Sequence, residues 1–172
     1  QLNALTIGLA FGGLLVAATY PLMKRITYYP QLVLGIAFSW GIPMAFAATL
    51  GEVPREAWLL FIANLFWTVA YDTEYAMVDR EDDLRIGVKS TAILFEESDR
   101  FIIGILQALF ILTLLITGHH AGLGVPFMLG TLVAAGLAGH QQQLIRDRDR
   151  EGCFRAFRNN NWVGLAVFAG LG

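Results

Sequence analysis

Charge is scarce in this sequence. Asp, Glu, Lys and Arg make up 15% of its 172 residues, against ~25% in an ordinary soluble domain. So low a share argues against a water-soluble domain and for a protein embedded in lipid. Cysteine is nearly absent, and Cys153 alone cannot form an internal disulfide; it reads as a small buried apolar residue. No basic segment followed by a small-residue cleavage site opens the chain, so no cleavable signal peptide is expected. Internal repeats and low-complexity tracts are missing too. What is abundant is apolar surface: 56% of the residues are hydrophobic. The net charge of -2 says little, because the charges are clustered.

A membrane-spanning helix needs ~20 mostly apolar residues. Nearly charge-free windows recur at 2–21, 30–51, 57–71, 101–118, 121–145 and 159–172. They predict six transmembrane helices in an all-α, polytopic bundle forming a single domain over 1–172. The third should run on into the acidic segment that follows it, and the sixth looks incomplete. Pro43 should kink the second, because it has no N–H to donate. The chain starts and stops inside apolar stretches, so both ends read as cuts in a longer protein. Six crossings place the connections alternately on two faces. Eleven of the twelve Lys and Arg residues then fall on the face holding 23–29, 79–100 and 146–158, and only Arg55 falls on the other. The positive-inside rule makes the first face cytoplasmic.

The acidic segment reads YDTEYAMVDREDD from Tyr71 to Asp83. Each helical residue turns the side-chain direction by ~100°. Asp79 then lies about 20° to one side of Asp72 and Asp83 about 20° to the other. Three carboxylates form one ridge, flanked by Tyr75; Glu74 points nearly opposite, and Asp82 lies off to one side. Like charges at i, i+4 repel, and an ionisable group near the membrane is costly. A bound cation offsets both effects. Mg2+ suits the ridge, since it takes one or two carboxylates and completes its shell with water and phosphate oxygens. Arg85 and Lys89 follow at once and could hold a diphosphate. In Gly87-Val88-Lys89-Ser90-Thr91 the small and polar neighbours should leave room for phosphate oxygens, although the glycine spacing is not that of a P-loop.

The stretch YDTEYAMVDREDDLRIGVKSTAILF resembles the second aspartate-rich motif of the UbiA-type membrane prenyltransferases. Within them it is most similar to the 4-hydroxybenzoate polyprenyltransferases of ubiquinone synthesis. YPLMKR at Tyr20–Arg25, WGIPMAFA at Trp40–Ala47 and CFRAFRNNNWVG at Cys153–Gly164 carry the likeness along the whole chain. The resemblance implies a nine-helix fold, of which this chain would supply the last six helices. It implies transfer of a polyprenyl group from polyprenyl diphosphate to the ring of 4-hydroxybenzoate, with Mg2+, in the bacterial inner membrane. It makes Asp79 and Asp83 a metal-binding pair, extended by Asp72, and gives Arg25 the aromatic acceptor or the diphosphate. Lys89, Arg85 and Tyr75 become substrate-binding residues beside it. The family's first motif, N-D-x-x-D-x-x-x-D, occurs nowhere in these residues, so this chain alone is expected to hold half a metal site and to show little activity.

Other features read more plainly. His119 and His120 belong to a solvated turn. His140 and Gln141–Gln143 suit hydrogen bonds between helices. The arginines at 146–158 suit anionic lipid headgroups rather than nucleic acid. Asn159–Asn161 could cap the last helix or line a cavity. Competing functions are a prenyltransferase with another aromatic acceptor, a cation channel or carrier using the carboxylate ridge, and a catalytically incomplete membrane fragment.

Overall fold

The computed structural model describes residues 3–171, and among them the regular structure is helical. The elements are α1 (Ala4–Ile26), α2 (Pro30–Ser39), α3 (Gly41–Leu50), α4 (Arg55–Ile86), α5 (Thr91–Phe95), α6 (Asp99–His120), α7 (Val125–Leu144) and α8 (Arg150–Ala169), with a single 3-10 turn at Glu96–Ser98 between α5 and α6. They make six rods, because α2 continues into α3 and α5 leads into α6. The six apolar windows therefore each have a rod. Three of these are long and apolar enough to cross a membrane: Ala4–Ile26, Pro30–Leu50 and Thr91–His120.

Local sequence sets where the rods begin, bend and stop. Asn3 caps α1 by accepting from the Thr6 N–H at 2.8 Å. The break at Trp40 separates α2 from α3. Pro43 cannot donate to the Ser39 carbonyl, so the ladder is interrupted where the sequence predicts a kink. The Trp40 indole crosses to α1 and donates to the Leu9 carbonyl at 2.7 Å. No glycine or proline interrupts Arg55–Ile86, and α4 runs for 32 residues, or about 48 Å. That exceeds the ~30 Å hydrocarbon core of a bilayer, so the acidic end of α4 can protrude. Gly87, in the left-handed region at φ 73°, stops it.

Neighbouring rods are antiparallel. Glu74 meets Gln107, and Arg80 meets Asp99, as α4 passes α6. Tyr71 meets Phe157, and Asp82 meets Arg150, as α4 passes α8. Gln141 meets Asn159 between α7 and α8. The central helix is α4, packed on α2, α6 and α8. Small side chains recur in the core: Ala57, Ala63, Ala70, Ala92, Ala134 and Ala156 are buried. Small residues let helices approach closely where lipid gives no hydrophobic drive to associate. Large apolar side chains such as Phe11, Leu15, Leu132 and Phe168 point outward, as lipid contact requires.

Two readings of the C-terminal region need correcting. α8 begins at Arg150, well before the apolar window, and Asp149 caps it by accepting from the Gly152 N–H. Asn159–Asn161 therefore sit in the middle of the helix and cap nothing. Arg148 also does not reach out as a headgroup anchor. Arg148 pairs with buried Asp99 at 2.9 Å, and Arg150 with Asp82 at 3.1 Å and Asp79 at 3.7 Å.

Candidate functional site

The carboxylate ridge forms because α4 remains helical through Asp83. Asp72, Asp79 and Asp83 are half-buried on its open side, while Thr73, Glu74, Ala76 and Met77 face the core. Asp79 and Asp82 share the Arg150 guanidinium. Burial raises the Asp83 carboxyl above its usual range, the neighbouring Asp79 raises it further, Lys24 pulls it down and Asp82 adds a smaller upward push. Lys24 acts on Asp72 as well. Its ammonium lies 5.7 Å from the centre of the Tyr20 ring.

The end of α1 meets the turn after α4. The Lys89 N–H donates to the Lys24 carbonyl at 3.0 Å. The Lys89 ammonium donates to the Ile26 carbonyl at 3.2 Å and lies 5.2 Å from the centre of the Tyr28 ring. Two lysines are thus brought to the acidic end of α4. Arg25 is exposed one residue further along and makes no ion pair or side-chain hydrogen bond among the described residues. Arg85 is exposed and lies 3.6 Å from Asp82. The expected room around Ser90 and Thr91 is missing. Both are buried; the Ser90 hydroxyl accepts from the Ile93 N–H, and the Thr91 hydroxyl meets that of Thr73 at 2.8 Å. Their hydroxyls hold the turn together, and Lys89 is the cation it carries.

No three His, Cys, Asp or Glu side chains converge as a metal cage among the described residues. The donor set still fits Mg2+, which needs only one or two carboxylates when phosphates supply further oxygens. Asp79 and Asp83, one turn apart on one face, provide that much.

An aromatic wall leads inward from the ridge. Tyr75 lies 5.0 Å from Phe157, Phe157 lies 6.1 Å from Tyr71, Tyr71 lies 5.7 Å from Trp67, and Trp67 stacks on Phe110 at 5.5 Å. Two apolar hollows open along it. The first, about 480 Å3, is lined by Phe38, Trp67, Tyr71, Phe157, Asn160 and Gly164 among others. The second, about 500 Å3, lies deeper between Leu60, Trp67, Phe110, Leu114 and Gly164.

Behind the wall lies a buried polar chain. Glu74 is fully buried. It accepts from Gln107 at 3.3 Å and from Asn160 at 2.9 Å. Gln107 donates to Gln141 at 2.8 Å, and Gln141 to Asn159 at 3.1 Å. The Trp67 indole N–H donates to Asn160 at 2.7 Å. The interhelical hydrogen bonds expected of Gln141 are therefore present. Sequence reasoning overlooked Lys24, Arg150 and this chain. Gln107 left a signal, since it stands inside the otherwise apolar stretch FIIGILQALF and a polar group there must find a partner.

The chain is 59% identical over 169 residues to a 4-hydroxybenzoate octaprenyltransferase of Pseudomonas syringae pv. syringae (strain B728a), covering 98% of this chain and 57% of that protein. It is 62% identical to the enzyme of that name from Pseudomonas fluorescens (strain Pf0-1), with the same coverage, and 59% identical to that of Tolumonas auensis, with 99% and 60% covered. The chain thus spans just under three fifths of the length of the Pseudomonas relatives. The apo structure of a UbiA homolog from Aeropyrum pernix K1 superimposes with a TM-score of 0.81 at 25% identity, covering 98% of this chain and 64% of that one. Residues 1–165 match the UbiA prenyltransferase family, and the chain belongs to that family.

Proposed function

We propose that the protein containing this chain transfers a polyprenyl group from polyprenyl diphosphate to the aromatic ring of 4-hydroxybenzoate, with Mg2+, in the bacterial inner membrane. One observation carries the reading: a carboxylate ridge with lysines beside it stands at the head of an aromatic wall leading to apolar hollows. Such a site can hold a charged diphosphate at one end and an isoprenoid tail at the other. The names of the relatives supply the acceptor.

Asp79 and Asp83, with Asp72 beside them, would hold Mg2+, and a bound ion would supply Lewis-acid stabilisation of the diphosphate leaving group. Lys89 and Lys24 pair with phosphate oxygens, and Arg85 adds positive charge at the rim. Arg150 must release Asp79 as the ridge fills. The allylic C–O bond breaks toward this cationic end, and the faces of Tyr75, Phe157 and Tyr71 stabilise the positive charge left on the prenyl carbon. The apolar hollows keep out water, which would capture that carbon. Arg25 binds the acceptor carboxylate through two parallel hydrogen bonds, the phenol ring attacks the prenyl carbon, and the ring proton leaves. Turnover needs the remainder of the protein, because these residues contain only one of the family's two aspartate-rich motifs.

The test is prenyl transfer by the full-length protein in membranes, with a panel of aromatic acceptors. Asp79→Ala and Asp83→Ala should each lower Mg2+-dependent turnover at least ~100-fold, and near-normal turnover would overturn the site. Arg25→Ala should raise KM for 4-hydroxybenzoate more than for the diphosphate. Equal use of acceptors with and without a carboxylate would remove Arg25 from the acceptor role.

A further inference from the structure

Another hollow opens between α7 and α8, near the basic end of the bundle. It measures about 510 Å3, and His140, Arg155, Arg158, Asn159, Asn161 and Trp162 stand in its walls. No aspartate or glutamate lines it. Arg155, Arg158, Asn159 and Trp162 gather there because they recur at three- and four-residue steps along one face of α8, and His140 stands about one turn before the end of α7. Four other arginines at this end are matched by carboxylates: Arg80 and Arg148 by Asp99, Arg85 and Arg150 by Asp82. Arg155 and Arg158 are exposed and have no carboxylate partner among the described residues. The Arg158 guanidinium lies 6.0 Å from the centre of the Phe154 ring. The Asn159 amide oxygen accepts from buried Gln141 at 3.1 Å, which leaves its NH2 group free to serve the hollow. The walls thus offer positive charge and hydrogen-bond donors, and they lack a counter-charge.

The surroundings select the anion. From Arg150, α8 rises about 8 Å to Arg155 and about 12 Å to Arg158. Beyond that level both helices turn apolar on the outside. Trp162 and Leu165 follow Arg158 by one and two turns, and Val133 and Leu129 continue the His140 face of α7; all four are exposed. The hollow therefore straddles the boundary between a charged and an apolar surface. An unmatched arginine is costly where a bundle enters the bilayer. A free phosphate would match the charges and leave the apolar half uncovered. A phospholipid supplies both halves, and basic pockets between membrane helices suit anionic headgroups. We propose that the hollow between α7 and α8 seats an anionic glycerophospholipid. Arg155 and Arg158 pair with its phosphate, His140 and Asn159 donate hydrogen bonds, and its acyl chains run down past Trp162 along Leu165 and Val133. This site does not depend on the prenyl-transfer reading.

The experiment uses the full-length protein, purified and delipidated in a mild detergent. Dioleoyl phosphatidylglycerol and dioleoyl phosphatidylethanolamine are titrated against it, and bound lipid is counted by native mass spectrometry. The two lipids share a phosphate and acyl chains and differ in net charge. The wild-type protein should prefer phosphatidylglycerol at one site by at least about tenfold, and the preference should fall as salt rises from ~0.1 to ~1 M. A basic side chain beside an anionic headgroup is worth about fivefold in affinity. Arg155→Ala should therefore weaken phosphatidylglycerol binding about fivefold, and Arg155→Ala combined with Arg158→Ala at least about tenfold. Phosphatidylethanolamine binding should stay unchanged, which shows that the variants are folded. Arg146 is exposed at the same end but outside the hollow, and Arg146→Ala should alter neither lipid. Equal affinity of the wild-type protein for the two lipids, a double variant that keeps the preference, or an equal loss in Arg146→Ala overturns the site. Displacement of bound phosphatidylglycerol by inorganic phosphate or by geranyl diphosphate also overturns it, and would assign the arginines to a soluble anion or to a prenyl donor instead.

Discussion

Asp99 shows what a single residue does for this site. It is fully buried, and two guanidinium groups close on it, Arg80 from α4 and Arg148 from the turn before α8. Arg148 also donates to the Glu97 carbonyl at 2.6 Å. Glu96 and Arg148 both have positive φ, 47° and 55°, a region unfavourable for residues with a Cβ. The ion pairs hold these two strained turns together, and the second turn delivers Arg150 to Asp79 and Asp82. Asp99→Asn leaves two arginines facing a neutral amide. Breaking a buried pair costs ~3–5 kcal/mol, and the partly exposed arginines place this case near the lower end, at about 3 kcal/mol. Unfolding in detergent titrated with denaturant should show that loss, whereas Arg150→Ala, which breaks only exposed pairs, should cost less than ~1 kcal/mol. Equal stability of the two variants would dismiss the clasp. These pairings were illegible in the sequence for a physical reason. Helical phase relates Asp72, Asp79 and Asp83 because they share one helix, but nothing local joins Asp79 to Arg150 or Asp99 to Arg148. An alternating run of arginine and acid looks solvated until the packing of α4 against α8 is known.

At the scale of elements, α4 and the turn that ends it build the ridge. Gly87 adopts φ 73°, and its N–H and that of Val88 both return to the Asp83 carbonyl. The helix end is therefore fastened at a ridge residue, and the chain turns back to bring Lys89 against α1. A residue with a Cβ pays ~1–2 kcal/mol in the left-handed region. Gly87→Ala should destabilise the protein by about 1 kcal/mol and speed amide exchange at Val88 and Lys89 relative to the core of α4. Unaltered exchange there would show that the cap does not hold the turn. Such endings were legible: glycine after a long uninterrupted run, and Pro43 midway through the second window, mark real boundaries at Gly87 and Trp40. The start of α8 was not. Charged residues from Arg150 to Arg158 conceal a helix that shows half its surface to solvent, and apolar content alone finds only its later turns.

For the whole molecule, antiparallel packing alternates the rods that the hydropathy windows suggest. Alternating rods gather the turns at 23–29, 79–100 and 146–158 at one end, with eleven of the twelve Lys and Arg residues, and leave 52–56 and 119–124 at the other. A bilayer resists carrying Lys and Arg through its core, and so uneven a distribution predicts one orientation for the bundle, with the acidic end of α4 in the cytoplasm. Cys153 is buried and should stay silent toward a polar thiol reagent. Single cysteines at Glu81 and His120, both exposed, report the two ends. In the full-length protein in intact cells, a membrane-impermeant maleimide should label His120→Cys from outside and spare Glu81→Cys. Inverted membrane vesicles should give the reverse. Labelling of both positions from one side would mean that α6 does not cross the membrane, and the reverse pattern in cells would put the carboxylate ridge outside. Under the proposed function, the end that holds the ridge would then meet the diphosphate headgroup and the acceptor from the water, while the hollows beside Trp67 would lie at the depth at which an isoprenoid dissolves.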